Sequence, residues 1–122
     1  MRIFDYLYIL ATILFTVYGQ LVLKWRIAKF GALPHDFFEK IKFLFFVVFD
    51  PFVFSGLVAA FLASLSWIAA MTKFDLSYAY PFVSINFILV ILLSGFLLGE
   101  SISIQKVLGS ILIIMGITIS IR

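Results

Sequence analysis

Long apolar segments separated by short polar ones make up most of this chain. Four of them, at residues 6–23, 51–71, 77–98 and 104–121, approach the roughly 20 residues that an α-helix needs to cross a bilayer. Because backbone groups in lipid must be paired internally, such continuous runs suit helices rather than the alternating strands of a barrel. The pattern predicts a single all-α membrane domain over residues 1–122, a bundle of four transmembrane helices.

The connections between these spans differ in length. Residues 72–76 and 99–103 are tight turns, so the last three spans are expected to pack antiparallel. In the longer connection, apolar side chains recur at helical spacing from Phe37 to Val48. This segment is either an interfacial helix lying along one membrane surface or a tilted extension of the second span.

Composition narrows the possible chemistry. The chain is 65% hydrophobic and 12% charged, has no cysteine and has one histidine, His35, so neither a disulfide framework nor a metal site is expected. A net charge of +3 is too small and too scattered to indicate nucleic acid as a partner. The acidic residues lie at span ends or in connections and form no catalytic constellation. We therefore predict a protein that is not an enzyme and holds no cofactor.

Basic residues are unevenly distributed between the two sides of the membrane. Three lie on the side of the termini, Arg2, Lys73 and Arg122. Six lie on the side of the first and third connections, namely Lys24, Arg26, Lys29, Lys40, Lys42 and Lys106. The positive-inside rule favours the long connection in the cytoplasm, although the modest bias leaves dual insertion open.

Polar residues inside the spans are the main functional signal, because they are costly in lipid and usually face a partner helix or a wet cavity. The first span carries a stripe at spacings of three and four, made of Asp5, Tyr8, Thr12, Thr16, Gly19 and Gln20. The stripe either bonds helices together or lines a cavity. Lys24 and Arg26 at its end either meet a phosphate or only set topology and snorkel to the surface.

Asp50-Pro51 is typical of an N-cap followed by a first-turn proline, so the second span is expected to start there. This span has a face of small residues that favours close packing with another helix. This face consists of Ser55, Ala59, Ala63, Ser66 and Ala70. Trp67 lies beside it, as a packing residue or as a cavity wall.

The third span opens with polar and aromatic residues around a proline. Pro81 removes a helical N–H, so we expect a hinge there. Ser77, Tyr80 and Ser84 share a face before the kink, and Asn86 lies nearly opposite on an ideal helix. Tyr78, Tyr80, Ser84 and Asn86 are candidate cavity residues.

The fourth span carries a stripe that permits close contact between helices. It consists of Gly109, Ile113, Gly116 and Ser120. Four helices of this length enclose little volume, so we predict that this stripe forms the interface of a homodimer or of a heterodimer with a paralogue.

The chain resembles the drug/metabolite transporter superfamily and its four-helix small multidrug resistance branch over nearly its whole length. The resemblance rests on YGQLVLK at residues 18–24, LSYAYP at 76–81, the Gly99-Glu100 turn, and Gly109 with Gly116. Members of this branch are known to pair, often antiparallel, through glycines of the fourth helix. Multidrug members carry a membrane-embedded glutamate where this chain has Thr16, a hydroxyl that cannot hold charge.

Gly19-Gln20, Ala79-Tyr80-Pro81, Ser84, Asn86-Phe87 and Gly99-Glu100 look more like the subunits that flip undecaprenyl-phosphate-linked aminoarabinose across the bacterial inner membrane. This resemblance implies a multi-pass protein of that membrane, which moves a lipid-linked sugar or similar amphiphile by alternating access. The cavity residues would be Thr16, Gln20, Lys24, Arg26, Trp67, Tyr78, Tyr80, Ser84 and Asn86. The alternatives are an exporter of small cations or metabolites and a non-transporting partner subunit.

Overall fold

The computed structural model describes residues 3–122, and that range contains helices and no strand. A short 3-10 turn at Ile3–Asp5 leads into six α-helices. They are α1 (Tyr6–Ile27), α2 (Phe37–Val48), α3 (Pro51–Met71), α4 (Leu76–Val83), α5 (Ile85–Leu97) and α6 (Ile104–Ser120). The predicted all-α fold is confirmed. Arg2, which was counted among the basic residues, lies outside the described range.

Three helical stretches are long and apolar enough to cross a membrane: Ile3–Ile27, Pro51–Met71 and Leu76–Leu97. The last of these comprises α4 and α5. α6 is apolar but has only 17 residues. The chain is thus a multi-pass membrane protein with three clear spans, and the fourth span stays a prediction for α6.

α2 is separate from the span that follows it. Asp50 has an extended backbone, with φ −62° and ψ 131°, and its carboxylate accepts hydrogen bonds from the backbone N–H groups of Phe52 and Val53. This N-cap and the following Pro51 start α3 cleanly, as predicted. The alternative of one helix running through both segments is therefore wrong, whereas the position of α2 at the membrane surface stays a prediction.

α1 and α3 form the tightest contact of the bundle. Along α3, Ala59, Ala63 and Ala70 are buried, as the small-residue face predicts. A methyl group added to Gly19 would lie 3.0 Å from the backbone oxygen of Gly56. The two backbones therefore approach each other closely at these two glycines, and we call this line of contact the α1–α3 seam.

The third span is interrupted, but three residues after its proline. The N–H of Ser84 bonds to the Pro81 carbonyl at 3.1 Å, and the N–H of Phe87 bonds to the Ser84 carbonyl at 3.1 Å. These bonds to the third residue back form one tightened turn between α4 and α5. Pro81 itself lies inside α4.

α6 packs against α4 and α5 and has no fully buried residue. A methyl group added to Gly109 or Gly116 would meet no atom within 4 Å. Neither glycine therefore makes a close contact with another helix in the described part of the chain.

Candidate functional site

A cavity of about 530 Å³ lies beside the α1–α3 seam and reaches α4. From α1 its wall takes residues spaced by three and four, which lie on one face of the helix. These are Thr12, Thr16, Gly19, Gln20 and Leu23. The upper part of the predicted polar stripe thus faces the cavity, whereas Tyr8 at its lower end is exposed and does not line it.

Two polar side chains of α1 have unused hydrogen-bonding groups in this cavity. The Thr12 hydroxyl already donates to the Tyr8 carbonyl at 2.8 Å. Within residues 3–122, no group hydrogen-bonds to the Thr16 hydroxyl or the Gln20 amide. A ligand can therefore bind both without breaking a bond inside the protein.

An aromatic corner closes the opposite wall. Trp67 of α3 and Tyr80 of α4 meet edge to face, with ring centroids 6.0 Å apart and planes at 77°. Tyr80 is 60% exposed, and no described residue hydrogen-bonds to its hydroxyl or to the Trp67 indole. The corner offers an apolar surface with two further hydrogen-bonding groups.

The lining is uncharged throughout. Apart from Thr12, Thr16, Gln20, Ser64, Trp67 and Tyr80, it consists of glycine and aliphatic residues. Ser64, which no pattern in the sequence indicated, donates its hydroxyl to the Ala60 carbonyl of its own helix. The arrangement suits a neutral, hydroxyl-rich group in an apolar cleft better than a cation, because it offers no counter-charge.

Three other predicted residues do not line the cavity. Tyr78 lies in the contact between α4 and α1, and its hydroxyl is 2.8 Å from the Tyr6 hydroxyl. Ser84 lies in the turn between α4 and α5. Asn86 is outside the lining, and its Oδ1 is buried with no hydrogen-bond partner in the described chain. The sequence alone left the place of Asn86 open, since it depends on the local break.

The two predicted phosphate ligands differ in their surroundings. Lys24 is exposed and follows Gln20 by one turn, directly after Leu23 of the lining. Arg26 already donates from Nε to both carboxylate oxygens of Asp50, at 3.0 Å and 2.9 Å. Its guanidinium also lies 4.8 Å from the ring centroid of Phe52. Among the described residues Lys24 has no acidic partner at the edge of the cavity, whereas Arg26 holds α1 to α3.

The Arg26 guanidinium holds the pKa of the Asp50 carboxyl below its usual value, and the backbone N–H groups of Val53 and Phe52 add to this effect. Sequence reasoning identified Asp50 as an N-cap but missed its partner. The two residues are 24 positions apart, and only the packing of α1 on α3 brings them together.

Comparison with known proteins places the chain among membrane transporters. Residues 3–122 match the EamA-like transporter family. A probable 4-amino-4-deoxy-L-arabinose-phosphoundecaprenol flippase subunit ArnE of Aeromonas salmonicida is 31% identical over 92% of both chains. The corresponding ArnE of Pseudomonas aeruginosa is 26% identical over 91% of both. A probable ArnF subunit of Serratia proteamaculans is 30% identical over 88% of this chain and 84% of its own. No solved structure matches.

Proposed function

Because this chain belongs to the EamA-like transporter family, we propose that it is a subunit of a flippase that moves a polyprenyl-phosphate-linked sugar across the membrane. The family and the names of the relatives point to a transporter rather than an enzyme. The observation that carries the finer proposal is the uncharged cavity, in which the Thr16 and Gln20 side chains have no hydrogen-bond partner among residues 3–122. It supports binding of a sugar's hydroxyl groups while the polyprenyl chain stays in lipid.

Lys24 supplies the charge that this substrate needs. It is exposed and directly follows Leu23 of the lining, and a phosphate held there would place the sugar beside Gln20. Arg26 is assigned a second, weaker role, because its Nε is engaged by Asp50 and only its terminal nitrogens remain for a phosphate. In this arrangement the phosphate stays beside Lys24 while the sugar enters the cavity.

Transport would take place in a pair of chains, either two copies or this chain with a paralogue, in the bacterial inner membrane. The cavity of one chain is bounded by α1, α3 and α4 only, and the exposed Tyr80 marks its open side. A second bundle would complete the wall, and the interruption at Ser84 would let α4 and α5 move relative to each other during alternating access.

Reconstituted liposomes with a polyprenyl-phosphate-linked amino sugar test this proposal. Gln20→Leu removes the amide at nearly constant volume and is expected to lower the flipping rate about tenfold, the loss of one or two hydrogen bonds. Gln105→Leu, the same change at an exposed position of α6, is the control.

Lys24→Ala should lower the rate by a similar factor and raise the substrate concentration at half-maximal rate, because the phosphate loses its counter-charge. Lys42→Ala is its control, since Lys42 is an exposed cation in the same connection with only a 3.8 Å ion pair to Glu39. Flipping at wild-type rate in both Gln20→Leu and Lys24→Ala would contradict the proposal.

A further inference from the structure

A second groove lies on the other side of the α1–α3 seam. It has a volume of about 680 Å³ and shares no lining residue with the cavity described above. Its main walls are Leu14, Tyr18, Phe54, Ser55, Val58 and Leu62. On α1, Leu14 and Tyr18 lie about 100° or more around the helix from every residue that faces the cavity. The groove therefore opens on a separate surface of the bundle.

The polar groups of this groove are paired with each other. The Ser55 hydroxyl donates to the Phe52 carbonyl at 2.6 Å, and the Tyr18 hydroxyl, 3.0 Å from Ser55 Oγ, can then donate to it. The rest of the wall is aliphatic and aromatic. In contrast to the cavity, the groove offers no unused polar group to a ligand, so it suits a hydrocarbon chain.

The groove extends from the middle of the bundle toward the long connection. It uses residues 51–62 of α3, the half of that helix nearest the connection, and residues 14–18 in the middle of α1. Beyond its end, the Trp25 ring contacts Phe52, with centroids 5.3 Å apart. The Nζ of Lys29 lies 4.7 Å from the centroid of the Trp25 ring. Tryptophan and lysine in this order are typical of the membrane–water boundary.

A positive charge therefore stands at the mouth of an apolar groove. Lys29 is exposed, and the described chain gives it no acidic partner. Asp50, the acidic residue beside Pro51 at the end of the groove, is engaged by Arg26. An anionic lipid headgroup would be attracted to Lys29 at this end of the groove. One lysine of this kind raises the affinity for an anionic lipid about fivefold.

We propose that this groove binds an anionic glycerophospholipid, with one acyl chain between Tyr18 and Val58 and the headgroup phosphate against Lys29. The lipid is a resident of one leaflet and not the transported substrate. It occupies a surface apart from α6, which packs against α4 and α5. The proposal therefore does not depend on which substrate the cavity takes, and a dimer that pairs through α6 would leave the groove open to lipid.

Native mass spectrometry of the full chain tests it. The protein is taken from bilayers with equal amounts of phosphatidylglycerol and phosphatidylethanolamine, and the lipid that stays bound is identified by mass. We expect phosphatidylglycerol to be retained in preference, and Lys29→Ala to reduce that preference about fivefold. Lys42→Ala, in the same connection but on α2, should leave the preference unchanged.

A larger side chain in the groove provides a second test of the lipid site. Val58 is 42% exposed, so Val58→Phe fills the groove without disturbing the seam and should remove the retained lipid. Leu65→Phe, at a 48% exposed position of α3 outside both linings, is the matched control.

Equal retention of the two lipids by the wild-type chain, or equal loss of lipid in Val58→Phe and Leu65→Phe, would overturn the proposal. So would displacement of the phospholipid by added polyprenyl phosphate, which would assign the groove to the transported lipid. The flipping rate is measured in the same variants. Flipping by the wild-type chain without selective lipid retention would contradict the lipid site alone, whereas lipid retention without flipping would contradict the transport function alone.

Discussion

Arg26 and Asp50 join the end of α1 to the start of α3. Their side chains are 25% and 8% exposed, and the aromatic rings of Trp25, Phe30 and Phe52 surround the guanidinium within about 6 Å. Asp50 also caps α3 through two backbone N–H groups. One carboxylate thus serves both the beginning of a helix and its attachment to a neighbour, so its ionisation should affect the stability of the pair.

Asp50→Asn tests this ion pair. A carboxylate whose pKa is lowered by folding contributes stability above its unfolded-state pKa and loses it as the pH falls through the lowered value. The wild-type unfolding temperature should therefore fall as the pH is lowered from the unfolded-state pKa of Asp50 through its lower folded-state pKa. The variant should start lower at neutral pH and lack the acid-dependent step at Asp50, because Arg26 has lost its charged partner. Thermal unfolding in detergent across this pH range measures both effects.

Asp75→Asn is the matched control. Asp75 precedes α4 as Asp50 precedes α3, but its side chain makes no capping hydrogen bond and is exposed. It should change the unfolding temperature little at any pH. A similar pH profile in wild type and Asp50→Asn would refute the role assigned to this ion pair.

The sequence predicted some cavity residues and not others, for a physical reason. Thr16 and Gln20 lie on a regular helix, whose geometry fixes which residues share a face. Tyr80 and Tyr78 lie near a proline and a tightened turn, and nothing in the pattern says which of two neighbouring tyrosines faces the cavity. The structure directs Tyr80 to the lining and Tyr78 to Tyr6.

The α1–α3 seam separates the cavity from the second groove. Both concave surfaces depend on the close approach at Gly19 and Gly56, since a wider seam would change the shape of each. A methyl group on Gly56 would lie 2.8 Å from Val22 Cγ1 and 3.3 Å from the Gly19 backbone oxygen. Small residues here are thus a steric requirement of the helix pair.

Gly56→Ala is expected to lower the free energy of unfolding by about 1–3 kcal/mol, the usual effect of overpacking. Gly116→Ala is the control, because a methyl group there meets no atom within 4 Å of the same chain. Chemical denaturation in a detergent that keeps the chain monomeric measures the difference. Equal stability of the two variants would show that the seam tolerates more separation than its geometry indicates.

Helix features that depend on a few neighbouring residues were predicted from the sequence, whereas features that depend on packing between distant segments were not. The small-residue face and the Asp50-Pro51 start of α3 were correct, because capping and periodicity are encoded within a few residues. The interruption of the third span appeared at Ser84 rather than at Pro81. The role of Gly19 was also missed: it was assigned to a polar stripe, and its closeness to Gly56 follows only from the packing of two distant segments.

Association of two bundles is the largest feature that the proposed function requires. The sequence suggested the α6 stripe as its interface, and that suggestion stays a prediction. Gly109 and Ile113 are half-buried within the chain, whereas Gly116 and Ser120 are exposed. The stripe therefore has free surface toward the end of α6, and both glycines leave open space beside the helix backbone.

Gly109→Leu with Gly116→Leu is expected to reduce dimers at least about tenfold while the single chain stays folded, since larger side chains keep the two backbones apart. Ile111→Phe, at a 49% exposed position on the other side of α6, should leave them intact. Native mass spectrometry of protein extracted from its own membrane reports the mass of either partner, a second copy or a paralogue. Unchanged dimers in the double variant would place the interface elsewhere.

The length of α6 has a consequence for the surrounding bilayer. Its 17 residues extend about 25 Å, which is shorter than the roughly 30 Å of an average hydrocarbon core. If α6 forms the predicted fourth span, its shortness would be accommodated by compressing the adjacent lipid, and the membrane beside it would be locally thinned. A sugar headgroup that crosses near this helix would then have several ångströms less of hydrocarbon to pass. Hydrophobic mismatch would in this way reduce the barrier that a flippase has to overcome.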